Sequence, residues 1–226
     1  MPLLAGGAGA VDLQDLGKQL ETKFGPQFKV QAVEKSPFPG LYGVQMNGEL
    51  YYTDDKAQFL IIGKMINTST KVDYTEQRTN ELNKVDYKTL PFNLSIKTVK
   101  GDGKRSIALF EDPNCPYCKQ LRKNLSTIDN LTVHVFQLNM LGPDSKQKSH
   151  DIWCAPDKAK AIDDWMLNGK LPPAAPANCT DPHTEVMALG SKHKMKGIPT
   201  MVFPDGSRLT GGVDAKTIED KLSKIK

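Results

Sequence analysis

The 226-residue chain has no apolar run approaching the eighteen or so residues that a bilayer-spanning helix needs. Its longest apolar stretches, Phe59 to Ile62 and Ile107 to Phe110, have the length of core strands, so the expectation is a protein that does not span a membrane. A charge excess is also missing. Thirty Lys and Arg stand against 26 Asp and Glu, and a formal +4 is too thin to argue for nucleic acid. No basic stretch interleaved with aromatics revives that reading. Internal repeats and low-complexity tracts are absent too, which sets aside solenoids and disordered linkers. Hydrophobic content of 38% with 25% charged residues describes a soluble globular chain, long enough for one large or two small domains.

The opening MPLLAGGAGA carries no Lys or Arg, the first being Lys18, and its apolar part is short. It does not read as an intact secretory signal but as a processed or engineered start. The compartment must therefore be read from cysteine, which is scarce: Cys115, Cys118, Cys154 and Cys179. An even count is compatible with two disulfides and with a metal site.

Leu13, Leu16, Leu20 and Phe24 fall near one stripe at the 3.6-residue period, which predicts a helix from Asp12, as cap, to Phe24. Short strands follow at Phe28 to Val33, Leu41 to Met46, Leu50 to Thr53 and Phe59 to Ile62. Asn47-Gly48 between two of them accepts the positive φ of a type I′ hairpin. One helix on a small antiparallel sheet is a small core, and pairing with a second copy would enlarge it. From Asp73 to Leu90 the chain is mostly polar. Asp73 with Glu76 resembles a capping box, and Leu82, Val85 and Leu90 are too sparse for a core face, so a solvated linker helix stopped by Pro91 is expected. Beyond it, strands at Arg105 to Phe110, Leu131 to Leu138 and Thr200 to Phe203 alternate with helices. These are expected from Cys115 to Leu125, Asp144 to Gly169, Pro182 to Met195 and Asp214 to Ile225. The boundaries are thus 1–72 for the first domain, 73–91 for the linker and 92–226 for an α/β domain.

Cys115-Pro116-Tyr117-Cys118 sits where a strand passes into a helix. Pro suits the first helical turn, and Cys115 then lies where free backbone N–H groups and the helix dipole favour a thiolate. Cys118, one turn inward, can attack a mixed disulfide formed at Cys115, so the pair reads as a thiol–disulfide exchange centre. Half of a zinc site is the competing reading. It wants a second close cysteine pair, whereas Cys154 and Cys179 stand 25 positions apart. A purely structural Cys115–Cys118 bridge would gain little from so short a loop. Gly197-Ile198-Pro199-Thr200, ahead of the strand TMVF, can be an edge or turn proline. Beside a CxxC it also suits a cis Ile198–Pro199 bond whose backbone pairs with an extended substrate. Glu111 is expected to face solvent rather than the thiols.

FEDPNCPYCKQL and GIPTMVF, with a helical insertion between them, resemble the thioredoxin-fold disulfide proteins. GELYYTDD, Gly63, IWCAPDKAKAIDDWM and Cys179 extend the resemblance, from about Asp12 to the C-terminus, to the DsbC/DsbG family of periplasmic disulfide isomerases. The resemblance implies an α+β N-terminal dimerisation domain, a linker helix and an α/β thioredoxin-like catalytic domain with a helical insertion. It implies a V-shaped homodimer around an uncharged cleft, misfolded disulfide-containing substrates, and upkeep in the reduced state by the membrane reductase DsbD, with no cofactor. Position by position, Cys115 becomes the exposed nucleophile and Cys118 the buried resolving thiol. Pro199 becomes the cis proline, with Ile198 presenting backbone to substrate, and Cys154 and Cys179 match a structural disulfide. Closing that 25-residue loop would contribute roughly 3.5 kcal/mol, whereas a reducing cytosol would leave two free thiols.

Two positions depart from the pattern. Pro116-Tyr117 stands where the isomerases carry Gly-Tyr and resembles DsbG, which is tied to reduction of sulfenylated cysteines and to chaperone-like holding of unfolded chains. Ile198 stands where relatives carry Thr, and losing that hydroxyl beside the thiols predicts a changed redox potential.

Overall fold

A computed structural model describes residues 11–225, so the opening MPLLAGGAGA lies outside the described residues. None of its helices is long and apolar enough to cross a membrane. The chain folds as two compact units divided between Asn83 and Lys84.

The first unit begins with α1 (Leu13–Phe24), capped by Asp12, whose carboxylate accepts the N–H groups of Gln14 and Asp15. The strands β1 (Val30–Lys35), β2 (Tyr42–Met46), β3 (Glu49–Thr53) and β4 (Leu60–Ile61) form an antiparallel sheet in chain order. Asn47 and Gly48 both take positive φ at the expected hairpin. Leu16 and Leu20 of α1 close onto Val44 and Met46 of β2, a core of few side chains worth roughly 1.5–3 kcal/mol each before chain entropy is subtracted.

The expected linker helix is shorter and less solvated than its composition indicates. Helix α2 (Tyr74–Leu82) is capped by Asp73 as the sequence predicts, and it packs on the first sheet. Its Thr75 hydroxyl meets the buried Tyr52 hydroxyl at 2.5 Å, and Arg78 forks onto Glu34 of β1. The chain leaves the helix at Asn83. Val85, Tyr87 and Leu90 are then buried in the second unit, where the Val85 N–H donates to the Gly206 carbonyl. Three isolated apolar residues make no face on a helix, but a core assembled from distant strands can take each separately. Local periodicity carries no trace of that.

In the second unit, β5 (Ile96–Lys100), β6 (Arg105–Glu111), β7 (Leu131–Gln137), β8 (Thr200–Val202) and β9 (Arg208–Thr210) form one sheet in the order β5-β7-β6-β8-β9. Only β6 and β7 run parallel, joined by the crossover helix α3 (Pro116–Leu125). The edge strands β5 and β9 are short and half-polar, which hid them from the hydrophobic pattern. The helix expected over Asp144 to Gly169 is two helices, α4 (Pro143–Cys154) and α5 (Lys158–Asn168). Pro156 stands in the break, and Asp157 restarts the second by capping the Lys160 N–H. Helices α6 (His183–Lys192) and α7 (Ala215–Leu222) complete the unit.

The topology places the chemistry. Because β8 pairs antiparallel with β6, with Phe110 opposite Thr200, the start of β8 lies beside the end of β6. The residues just before one and just after the other, Ile198-Pro199 and Cys115, are 83 or more positions apart in sequence yet adjacent in space.

Candidate active site

Cys115 is the N-cap of α3, with Pro116 in the first turn. Its Sγ accepts the Cys118 N–H at 3.4 Å and lies 4.0 Å from the Ile198 carbonyl oxygen. The Ile198–Pro199 bond is cis. The Pro199 carbonyl is taken by the Gly211 N–H at 2.8 Å, which leaves Ile198's carbonyl as the one turned to the sulfur. Cys115, Cys118 and Ile198 are therefore gathered at one point. Cys154 and Cys179 are not part of it: they are joined to each other at the far end of α4.

Two expectations need correcting. Cys115 was to be exposed, but the residue is only 5% exposed, because the cap geometry turns its sulfur inward between the α3 N-terminus and the Ile198 loop. Glu111 was to face solvent, but it is 1% exposed. It ends β6, and both carboxyl oxygens lack a hydrogen-bond partner, the guanidinium of Arg122 being 3.9 Å away. Burial pushes the Glu111 carboxyl up to about 7, against which Arg122 pulls it down and Asp163 and Asp112 push it further up. The Cys118 thiol is likewise raised far above its ordinary value, first by burial and then by the charge of Glu111.

The residue that sequence reading missed is Asp112. It is fully buried, and its carboxylate is saturated: Oδ1 accepts the Asn114 N–H at 2.8 Å and the Ser145 hydroxyl at 2.7 Å, and Oδ2 accepts the N–H groups of Met140 and Leu141, both at 2.9 Å. Its own carbonyl takes the Cys115 N–H at 3.1 Å. One carboxylate thus ties the CxxC loop to the 139–142 segment and to the start of α4. Asn114 adds bonds to Asp144 and Ser145, and Trp165 of α5 donates its indole N–H to the Pro113 carbonyl. The Asp-x-Asn spacing of an Asx turn ahead of Cys115 was the available signal. Tyr117, Met140 and Leu141 are exposed around this loop and give it an apolar rim.

A cysteine sulfur capping a helix start, a second thiol buried one turn inward and a backbone carbonyl just ahead of a cis proline define a thiol–disulfide oxidoreductase on a thioredoxin fold. The comparisons agree. Residues 92–226 match the thioredoxin-like domain family, and residues 7–76 match the disulfide bond isomerase protein N-terminal domain. The chain is 40% identical over 207 residues to the probable thiol:disulfide interchange protein DsbC of Bordetella avium, covering 92% of this chain and 73% of that one. It is 43% identical over 195 residues to the corresponding protein of Bordetella pertussis, covering 86% and 69%. The disulfide interchange protein of Neisseria gonorrhoeae superposes with a TM-score of 0.57 at 36% identity, over 60% of this chain and 97% of that one. The chain belongs to the DsbC family of thiol:disulfide interchange proteins.

Glu111 gives the site a pH signature. Its carboxyl sits near 7 when folded against about 4.5 when unfolded, so between those values the folded state holds the extra proton and stability falls as pH rises. Replacing it by Gln removes that loss. Reduced Glu111→Gln, compared with the reduced wild type by denaturant unfolding, is expected to gain on the order of 3 kcal/mol in relative stability between pH 4.5 and pH 8. A constant difference across that range would show that Glu111 is not buried as described. Asp112→Asn puts an amide N–H₂ where only donors converge, and is expected to lose about 3 kcal/mol or more by the same measurement.

Proposed function

We propose that Cys115 is the nucleophile that isomerises wrong disulfides in misfolded secreted proteins, with Cys118 as the resolving thiol. The observation that carries this reading is the difference between the two sulfurs. Cys115 Sγ lies at the mouth of α3 against an N–H donor, and Cys118 is sealed behind it.

The Cys115 thiolate attacks one sulfur of a substrate disulfide. A bond forms between Cys115 and that sulfur, and the other substrate sulfur leaves as a thiolate. A different substrate thiolate then attacks the substrate sulfur of the mixed disulfide, and Cys115 is regenerated with no net change in oxidation. Escape through Cys118 reduces the substrate by two electrons and leaves Cys115–Cys118 oxidised. That route needs the Cys118 proton removed, and burial beside Glu111 holds the proton on. The mixed disulfide therefore lives long enough for substrate thiols to rearrange, which favours isomerisation over reduction. Ile198 offers its carbonyl to an extended substrate strand, and Tyr117, Met140 and Leu141 offer apolar contact to side chains that an unfolded chain exposes.

The reading places the protein in the periplasm. The Cys154–Cys179 bond supports an oxidising compartment, and a DsbD-type membrane reductase supplies the electrons that keep Cys115 reduced there. The protein acts as a homodimer through the first unit. What supports this is β4, a two-residue strand at one edge of its sheet, followed by Ile62 at 76% exposure and flanked by Phe59 at 68%, with Ile61 and Ile66 also exposed.

Reduced wild type is expected to reactivate a scrambled disulfide protein, Cys115→Ser to lose that activity, and Cys118→Ser to accumulate the mixed disulfide on a non-reducing gel. Failure of the reduced wild type, with aggregation still suppressed by a Cys115→Ser/Cys118→Ser double variant, would replace the isomerase by a holdase. Activity confined to sulfenylated thiols would make it a DsbG-like reductase. Ile62→Asp is expected to convert a dimer to a monomer in sedimentation velocity. A wild type that sediments as a monomer would refute the pairing.

A further inference from the structure

Three cationic side chains of the second unit gather ahead of the cis-proline loop with no carboxylate to answer them. Arg78, Arg105 and Arg122 are paired, with Glu34, Glu219 and Asp163. Arg208 of β9, the fourth arginine of the chain, is not paired among the described residues. Its Nη1 donates to the His193 carbonyl at 2.7 Å and lies 3.7 Å from the Met195 sulfur. Its Nε is buried with no hydrogen-bond partner among the described residues.

The segment that Arg208 grips is itself basic. Lys192 ends α6 and is exposed, and Lys194, two residues on, is half-buried. Neither ammonium forms an ion pair among the described residues, whereas Lys196 has an interaction of its own and is no part of the group. Lys192 is accounted for by helix-end electrostatics, which favour a cation at a C-terminus. Lys194 is not. Its N–H returns to the Ser191 carbonyl at 3.0 Å and that of Met195 to the Gly190 carbonyl at 2.8 Å. This puts Lys194, with a φ of 53°, at the left-handed position of a Schellman cap. Glycine adopts that conformation without strain, so a lysine is held there against local preference.

The group lies beside the place where Ile198 meets Cys115. Gly190 approaches Leu138, just past β7, so closely that a Cβ on it would stand 2.5 Å from the Leu138 Cδ1. The end of α6 is thus at the same end of the sheet as the CxxC. Lys194 precedes Ile198 by a chain length of at most about 14 Å. An extended segment advances about 3.3 Å per residue, so a carboxylate roughly two to five residues from a substrate cysteine comes within range.

We propose that Lys192, Lys194 and Arg208 form a cationic flank of the substrate site that binds carboxylates of an extended substrate segment, so that the protein prefers disulfides flanked in sequence by Asp and Glu. The inference rests on the reading of the Ile198 loop as the substrate-binding strand. An incoming carboxylate supplies the counter-charge that these three groups lack, and the same charges steer an acidic segment toward Cys115 before contact.

The probes are three quenched peptides, each closed by one disulfide and differing only in Asp-Asp, Asn-Asn or Lys-Lys beside the cysteines. Reduced full-length protein opens each in a single turnover, two electrons passing to the peptide and leaving Cys115–Cys118 oxidised. Each rate is divided by that of the same peptide with 2-mercaptoethanol, which removes the effect of flanking charge on the disulfide itself. The acidic peptide is expected to react about fivefold or more faster than the neutral one, and the basic peptide slowest. In 0.5 M salt the difference is expected to fall to within about twofold. Lys192→Gln/Lys194→Gln is expected to lose most of the preference while opening the neutral peptide as fast as the wild type. Three equal normalised rates, or a preference that survives in both high salt and the double variant, would overturn the cationic flank alone. A wild type that opens none of the peptides would take down the reading of the CxxC with it. The salt series is read in the wild type, so it decides the matter even if the double variant fails to fold.

Discussion

The active site depends on one buried carboxylate. Asp112 lies at the end of the central strand, where charge is tolerated only if every oxygen finds a donor, and it finds four. Those donors come from three separate stretches of chain. Satisfying them fixes the CxxC loop, the 139–142 segment and the start of α4 together. The position of Cys115 is the consequence: its N–H is bonded to Asp112, and its sulfur is delivered to the first turn of α3. A site held this way is rigid where the chemistry occurs and leaves Tyr117, Met140 and Leu141 uncovered around it.

Beneath that loop the protein accepts an unfavourable arrangement. Glu111 is buried without a hydrogen bond to either oxygen, and its distance from Arg122 is too long for a close ion pair. The cost is borne at the place where the charge of Glu111 adds to burial in raising the Cys118 thiol. In the proposed mechanism a proton held on Cys118 slows its attack on a mixed disulfide, the step that separates rearranging disulfides from simply reducing them. Local instability and chemical role have the same origin, burial of charge next to a thiol.

Legibility followed the range of each signal. The α1 stripe, the Asn47-Gly48 turn and the Asp73 cap are short-range and were all visible, because a helix period, a positive φ or a cap involves residues a few positions apart. The resemblance carried by FEDPNCPYCKQL and GIPTMVF pointed to the same fold. The edge strands β5 and β9 were hidden because each presents little to the core. The end of the linker helix was hidden because Val85, Tyr87 and Leu90 are buried by strands far along the chain. Glu111 looked like the polar end of an apolar strand. Its burial arises from α3 closing over it, which its neighbours in sequence do not report.

The sequence by itself determined the chemistry available: a CxxC at a strand-to-helix junction, a proline ahead of a strand, and a second pair of cysteines. These are properties of residue type and local spacing. Tertiary structure alone decided how that chemistry is tuned. The antiparallel pairing of β8 with β6 brings Ile198 to Cys115 across 83 positions, and packing seals Cys118 and Glu111 together. The pairing of β9 with β8 sets Arg208 beside the end of α6. Desolvation and the approach of distant groups exist only once the chain has closed on itself, so no local pattern could have announced them.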